Sequence, residues 1–210
     1  MNLEKHPLAG KQAVTFFSEN IQTEVKLVAT ASNMLPLGTK APDYSLPDTV
    51  SGKQVSLSEI GSNKANVIFF ICNHCPFVKH ILKVLVQVAY EYKQKGIAFV
   101  AISSNDVVNY PDDAPDKMKE LAVEMDFSFP YLYDETQETA RAYQAACTPD
   151  FFVFDNDLKC VYRGQFDDAR PGNDIPVTGQ DLRNALDRML SGSLPDNRQK
   201  PSMGCNIKWK

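Results

Sequence analysis

Two thiols separated by two residues, with a histidine between them, make Cys72-Asn73-His74-Cys75 the most chemically loaded segment of this 210-residue sequence. Thiols at this spacing can close a disulfide when they lie in the first turn of a helix. There the unpartnered N–H groups and the helix dipole favour negative charge. The thiolate is the reactive form of cysteine. The expected roles make Cys72 the nucleophile and Cys75 the resolving thiol, which attacks the mixed disulfide and frees the reduced substrate. An unperturbed thiol titrates near 8.5, so only about 3% is ionised at pH 7, and lowering it to about 7 costs roughly 2 kcal/mol. The helix end supplies about half of this or more, and a protonated His74 supplies the rest.

The segment must sit where a strand meets a helix, and the flanking pattern provides that. Val67-Ile68-Phe69-Phe70-Ile71 is apolar on both faces, as a strand covered on two sides should be. From Phe77 to Tyr92, apolar residues recur at helical spacing, and Gly96 ends the run before a second buried strand, Ile97 to Ile102. A parallel β–α–β unit follows. Upstream, Asp43–Leu46 and Gln54–Leu57 flank the turn formers Pro47-Asp48 and Ser51-Gly52, which predicts a β-hairpin. Downstream the sequence predicts a polar loop over 105–116, a helix over 116–125, a short strand at Tyr131–Tyr133 and a helix over 135–146. An antiparallel pair follows, Phe151–Phe154 and Lys159–Arg163, then an amphipathic helix over 180–190. The loop 165–173 could pair Asp168 with Arg170 and hold the tail, and the tail itself closes on Cys205, Ile207 and Trp209.

This order of elements, with the cysteine pair at the first strand–helix junction and Thr148-Pro149 ahead of a later strand, resembles the thioredoxin superfamily. The resemblance spans about residues 35–192. The whole chain, including Ser202 to Trp209, is similar to a group of bacterial peroxiredoxin-like (AhpC/TSA-related) proteins that carry a CxxC motif. It implies an α/β thioredoxin-like fold: a central mixed sheet flanked by helices, with an N-terminal β-hairpin extension. The chain then divides into an extension (1–34), the thioredoxin-like domain (35–192) and a C-terminal tail (193–210). The resemblance also implies that Pro149 is cis and faces the cysteines, and that Thr148 offers its backbone to an extended substrate by β-augmentation. Cys147 and Cys205 are candidate accessory redox thiols, and Cys160 reads as core. Thioredoxins place a buried aspartate six residues before the first cysteine, where this sequence has Asn66. Peroxiredoxins align their peroxidatic cysteine with Cys75 and precede it by Thr or Ser and by Pro, where this sequence has Cys72 and Ile68. Lys79 and His80 share a helical stripe with the motif and read as surface or supporting residues.

Composition narrows the function. The net charge is −4 and no basic stripe is present, which argues against nucleic acid. No apolar stretch reaches the roughly 20 residues of a membrane span, and residues 1–22 lack the apolar core of a signal peptide. A cytoplasmic protein is expected, and five cysteines in a reducing compartment argue against a disulfide scaffold. The expected function is thiol–disulfide oxidoreduction by a Cys72/Cys75 dithiol–disulfide cycle without cofactor or metal. Its partners would be protein or small-molecule thiols and disulfides and an unidentified electron donor, and the protein would be a monomer or homodimer. Two other readings stand beside it: a thiol peroxidase built on Cys75, and a metal-binding or copper-delivery module using the pair.

Overall fold

The computed structural model describes residues 29–62 and 64–210. Most of the expected extension, residues 1–28, lies outside the described residues. In chain order the elements are β1 (Thr30–Ala31), β2 (Ser45–Pro47), β3 (Gln54–Ser56), α1 (Leu57–Ile60), β4 (Asn66–Phe70), α2 (Pro76–Gln94) and β5 (Ala98–Ser103). A 3-10 turn at Pro111–Asp113 leads to α3 (Pro115–Glu124), β6 (Tyr131–Tyr133), α4 (Glu138–Ala142), β7 (Cys147–Thr148), β8 (Asp150–Phe154), β9 (Cys160–Gly164), α5 (Gln180–Leu190) and β10 (Met203–Asn206).

The central sheet has the order β6-β5-β4-β8-β9. β4 and β5 are parallel, as are β5 and β6, while β8 runs antiparallel to both β4 and β9. The expected hairpin is β2 paired with β3. Alternation along β4 splits the core into two layers. Val67 and Phe69 face a layer containing α2, Met118 of α3 and Leu182 and Leu186 of α5. Ile68 and Phe70 face Leu35, Tyr44, Ala140, Tyr143 and Ile207. α2 buries Phe77, Val78, Ile81, Leu82, Leu85, Val88, Ala89 and Tyr92, the apolar stripe read from its 3.6-residue period. No helix among the described residues is long and apolar enough to cross a membrane.

Among the differences from expectation are a shortened helix and an added strand. α4 covers only Glu138–Ala142 of the anticipated 135–146. Gln137 takes a left-handed φ of 65°, and the buried Asp134 carboxylate accepts the N–H of Ala140 at 2.9 Å, which starts the helix late. The second is the tail, where the sequence offered no strand. Met203–Asn206 forms β10, the middle strand of a second sheet with β1 on one side and β7 on the other. Ile207 is buried in the core layer behind it.

Candidate redox site

The helix that carries the motif begins later than its first cysteine. Pro76 is the first residue of α2, and Cys75 is its N-cap, extended at φ −66° and ψ 121°. A residue before proline is pushed out of the helical region, and proline itself suits the first helical position. The four residues 72–75 therefore form a loop ahead of the helix. This corrects the expectation of Cys72 in the first turn: the free N–H groups of α2 serve Cys75, which is drawn toward the N–H of Val78.

Asp113 holds this loop in place. Its Oδ1 accepts the backbone N–H groups of Asn73 at 2.8 Å and His74 at 3.1 Å. Its Oδ2 lies 2.5 Å from His74 Nδ1 and accepts Asn105 Nδ2 at 2.8 Å. Burial pushes the Asp113 carboxyl up, but the donors from His74 and Asn105 outweigh it and hold the group below the usual carboxylate range. The His74 ring is stacked on Tyr110, centroids 5.3 Å apart. The same Nδ1 is 3.9 Å from Cys72 Sγ. One ring nitrogen cannot donate its proton twice, and the 2.5 Å contact claims it for Asp113. His74 is thus oriented by Asp113 instead of serving Cys72 directly, as the sequence reading had it. Asp113 went unrecognised in the sequence, where it is one carboxylate in a polar, proline-rich loop. Nothing local marks it.

Thr148 faces both cysteines across the site, and its bond to Pro149 is cis. Thr148 Oγ1 lies 3.4 Å from Cys72 Sγ, and the Cys75 thiol donates to the Thr148 carbonyl at 3.1 Å. Cys205 completes the group, since its α-carbon is the register partner of Thr148 in the β10–β7 pair. When Cys75 ionises, it accepts hydrogen bonds from Cys205 first and then from Cys72, and these outweigh the penalty of burial and pull its pKa well down. The pKa of Cys72 is driven up, first by its donation to Cys75, then by burial and by the Asp113 charge. Cys205 is likewise held protonated, mainly by donating to Cys75. Cys75 is thus the thiol whose ionisation its neighbours favour, while in its protonated form it donates to the Thr148 carbonyl. The reason is geometric: Cys75 sits between two thiol donors and at the helix cap.

The pair is closed off from solvent. Cys72 is 1% exposed and Cys75 is fully buried. The backbone edge of Thr148, expected to receive an extended substrate, is occupied by the chain's own β10, with Cys205 opposite Thr148 and Asn206 opposite Cys147. The approach is so close that a Cβ on Gly204 would lie 2.0 Å from the Thr148 carbonyl oxygen. Loops on both sides fasten the strand. Ser32 N–H donates to Ser202 O at 2.9 Å, Gln165 N–H to Lys200 O at 3.0 Å and Asp106 N–H to Lys208 O at 2.8 Å. Asp168 does help hold the tail, but through the ammonium of Lys200 at 2.6 Å, while Arg170 turns to Gln165 and to backbone carbonyls.

Of the remaining candidates Cys147 borders this cluster, next to Thr148 in β7, and the others lie apart from it. Cys147 is buried, and burial pushes its thiol well up. It donates toward Pro149 O at 3.6 Å. Cys160 is core, as expected, with its thiol pushed up to about 12 by burial. Asn66 hydrogen-bonds with the Ser62 backbone at the far end of β4. Lys79 is exposed and His80 half-buried on α2. All five cysteines are free thiols. Cys72, His74 and Asp113 bring one potential ligand atom each within 4.8 Å of one another. An ion there would have to break the His74–Asp113 contact and compete with the N–H donors already on Asp113.

A mixed sheet with a cysteine pair between the central strand β4 and α2, facing a cis-proline across the site, defines a thioredoxin-like protein. The AhpC/TSA family model matches residues 37–163, and the chain belongs to that family. The structure is similar to an uncharacterized conserved protein from Geobacillus kaustophilus, with 58% identity, a TM-score of 0.86, and coverage of 88% of this chain and 97% of that one. It is also similar to a hypothetical protein from Sinorhizobium meliloti 1021, with 46% identity, a TM-score of 0.84, and coverage of 86% and 98%. The thioredoxin domain of a thiol-disulfide oxidoreductase from Bacteroides vulgatus shares the fold at 20% identity and a TM-score of 0.51, covering 61% of this chain and 88% of that one. No curated protein matches in sequence.

Proposed function

We propose that this protein is a thiol–disulfide oxidoreductase that cycles Cys72 and Cys75 between dithiol and disulfide without a cofactor. The observation that carries the reading is the placement of both motif sulfurs, Cys72 and Cys75, against Thr148 at the cis Thr148–Pro149 bond. Such a pair can give up two electrons as a unit, and stabilising its reduced thiolate form raises its reduction potential. Asp113 and His74 shape the loop that holds the two sulfurs near each other. The test is redox titration followed by mapping of the disulfide. A Cys72–Cys75 bond should form and be lost in both Cys72→Ser and Cys75→Ser proteins. A potential near about −270 mV would mark a reductase and one near about −120 mV an oxidant. Protein that stays dithiol throughout that range contradicts the proposal.

One observation favours a second reading. A thiolate at a helix N-cap, in a chain of the AhpC/TSA family, is suited to attack a peroxide. Rapid consumption of hydrogen peroxide that requires Cys75 and survives Cys72→Ser would select the thiol peroxidase.

A further inference from the structure

The site has a problem of access. The two cysteines of the motif are buried, and the edge where a polypeptide substrate would pair is filled by β10. Both edges of β10 are in use, one by β7 and the other by β1, so an extended chain would have to displace β10 to pair with the edge of Thr148 that it covers. Of the three sulfurs gathered there, only that of Cys205 belongs to a residue that reaches solvent, since Cys205 is half-buried. It packs against the core layer that includes Cys72 and Cys75. Directly opposed residues in an antiparallel pair have α-carbons about 4.5–5.5 Å apart. Cys205 is opposed in this way to Thr148, whose carbonyl oxygen is 3.1 Å from Cys75 Sγ.

We propose that Cys205 is the port through which small disulfides and thiols exchange electrons with the buried pair. The proposal rests on the dithiol reading given above and names the substrate class: low-molecular-weight disulfides in place of polypeptides. In the oxidising direction, the Cys75 thiolate takes the Cys205 proton as Cys205 Sγ attacks a disulfide RSSR. A Cys205–SR bond forms, the S–S bond of RSSR breaks, and RS⁻ leaves. Cys75 Sγ then attacks Cys205 Sγ, which forms the Cys75–Cys205 disulfide, and the departing sulfur takes the Cys75 proton to leave as RSH. Finally Cys72 Sγ attacks Cys75 Sγ and Cys205 leaves with the Cys72 proton. The sum converts Cys72–SH, Cys75–S⁻ and RSSR into the Cys72–Cys75 disulfide, RS⁻ and RSH. Two electrons pass from the pair to the substrate, and Cys205 is regenerated. The reverse sequence reduces the pair with two small thiols. The Thr148 hydroxyl, 3.4 Å from Cys72 Sγ, steadies the last sulfur in the chain.

The experiment oxidises the reduced full-length protein with hydroxyethyl disulfide or glutathione disulfide, quenches with acid and alkylating agent at intervals, and maps adducts by peptide mass. In the wild type the first adduct should appear on Cys205 and decay into the Cys72–Cys75 disulfide. In Cys205→Ser and Cys205→Ala proteins that disulfide should form about tenfold or more slowly, because the pair must wait for β10 to open. Cys72→Ser, which leaves β10 untouched, should stop at a Cys75–Cys205 disulfide with both halves of the probe released as thiol. A first adduct on Cys72 or Cys75, or wild-type rates in both Cys205 variants, overturns the port while leaving the dithiol cycle in place. A wild-type protein that never forms the Cys72–Cys75 bond overturns the dithiol cycle, and the port with it.

Discussion

If β10 is the cover over the redox pair, loosening it should make the buried thiols reactive, and Gly204→Ala is the smallest change that does so. No unusual φ is involved at this position, so only contact is at stake. The added Cβ would lie 2.0 Å from Thr148 O, 2.6 Å from Thr148 C and 3.1 Å from Pro149 N. These are backbone atoms that cannot rotate aside. Overpacking of this kind costs typically about 1–3 kcal/mol. The strain is relieved if Met203–Asn206 lifts from β7, so the population with the cover open rises about 5- to 150-fold. The assay is alkylation of Cys75 in the reduced, folded protein by excess iodoacetamide, read by peptide mass, which should accelerate by that factor. Thermal unfolding should fall by about 2–12 °C. Wild-type alkylation kinetics and melting temperature would show that the strand absorbs a methyl group without moving, and β10 would then not be the cover.

Other outcomes follow from the same geometry. Asp113→Ala strips the partner from two loop N–H groups and from His74, so stability should drop by about 3–5 kcal/mol, measured by denaturant unfolding; Asp113→Asn, which keeps an acceptor for the loop, should lose clearly less. Burial pushes the Asp150 carboxyl up to about 7, and one of its oxygens, Oδ1, has no partner. With the folded value raised above the ordinary 3.8, protonation stabilises the fold, an effect complete below 3.8 and lost as pH rises through about 7. From about pH 7.5 to about pH 5.5 the wild type should gain about 2 kcal/mol relative to Asp150→Asn, seen as a pH-dependent gap in melting temperature. Thiolate absorbance near 240 nm should persist in the reduced wild type at about pH 6 and vanish in Cys75→Ser; its survival there would move the charge to another sulfur.

Much of the scaffold was legible because its signals are local. β4 announced itself through the apolar run Val67–Ile71, α2 by its 3.6-residue stripe, and the hairpin by its turn formers between alternating runs. α4 was overestimated because the side chain that starts it, Asp134, acts from outside the helical pattern. At the site the same division holds. The cysteine spacing and the Thr148-Pro149 pair could be read directly, but Asp113 could not. It meets His74 across 39 residues of chain, and its neighbours carry no periodicity that would single it out. The pull on Cys75 could not be read because only the helix end is local, while its thiol donors come from 130 residues further along the chain as well as from within the motif.

The order of residues alone determined that a thiol pair would stand at a strand–helix junction in a thioredoxin-like sheet, because strand, helix and turn propensities act over a few neighbours. Tertiary structure alone decided which thiols meet Cys75, what orients the histidine and what closes the site. Those outcomes depend on β10 returning across the molecule to pair with Thr148. Whether a short polar segment becomes a strand is set by the edge it finds, and that edge does not exist until the rest of the chain has folded.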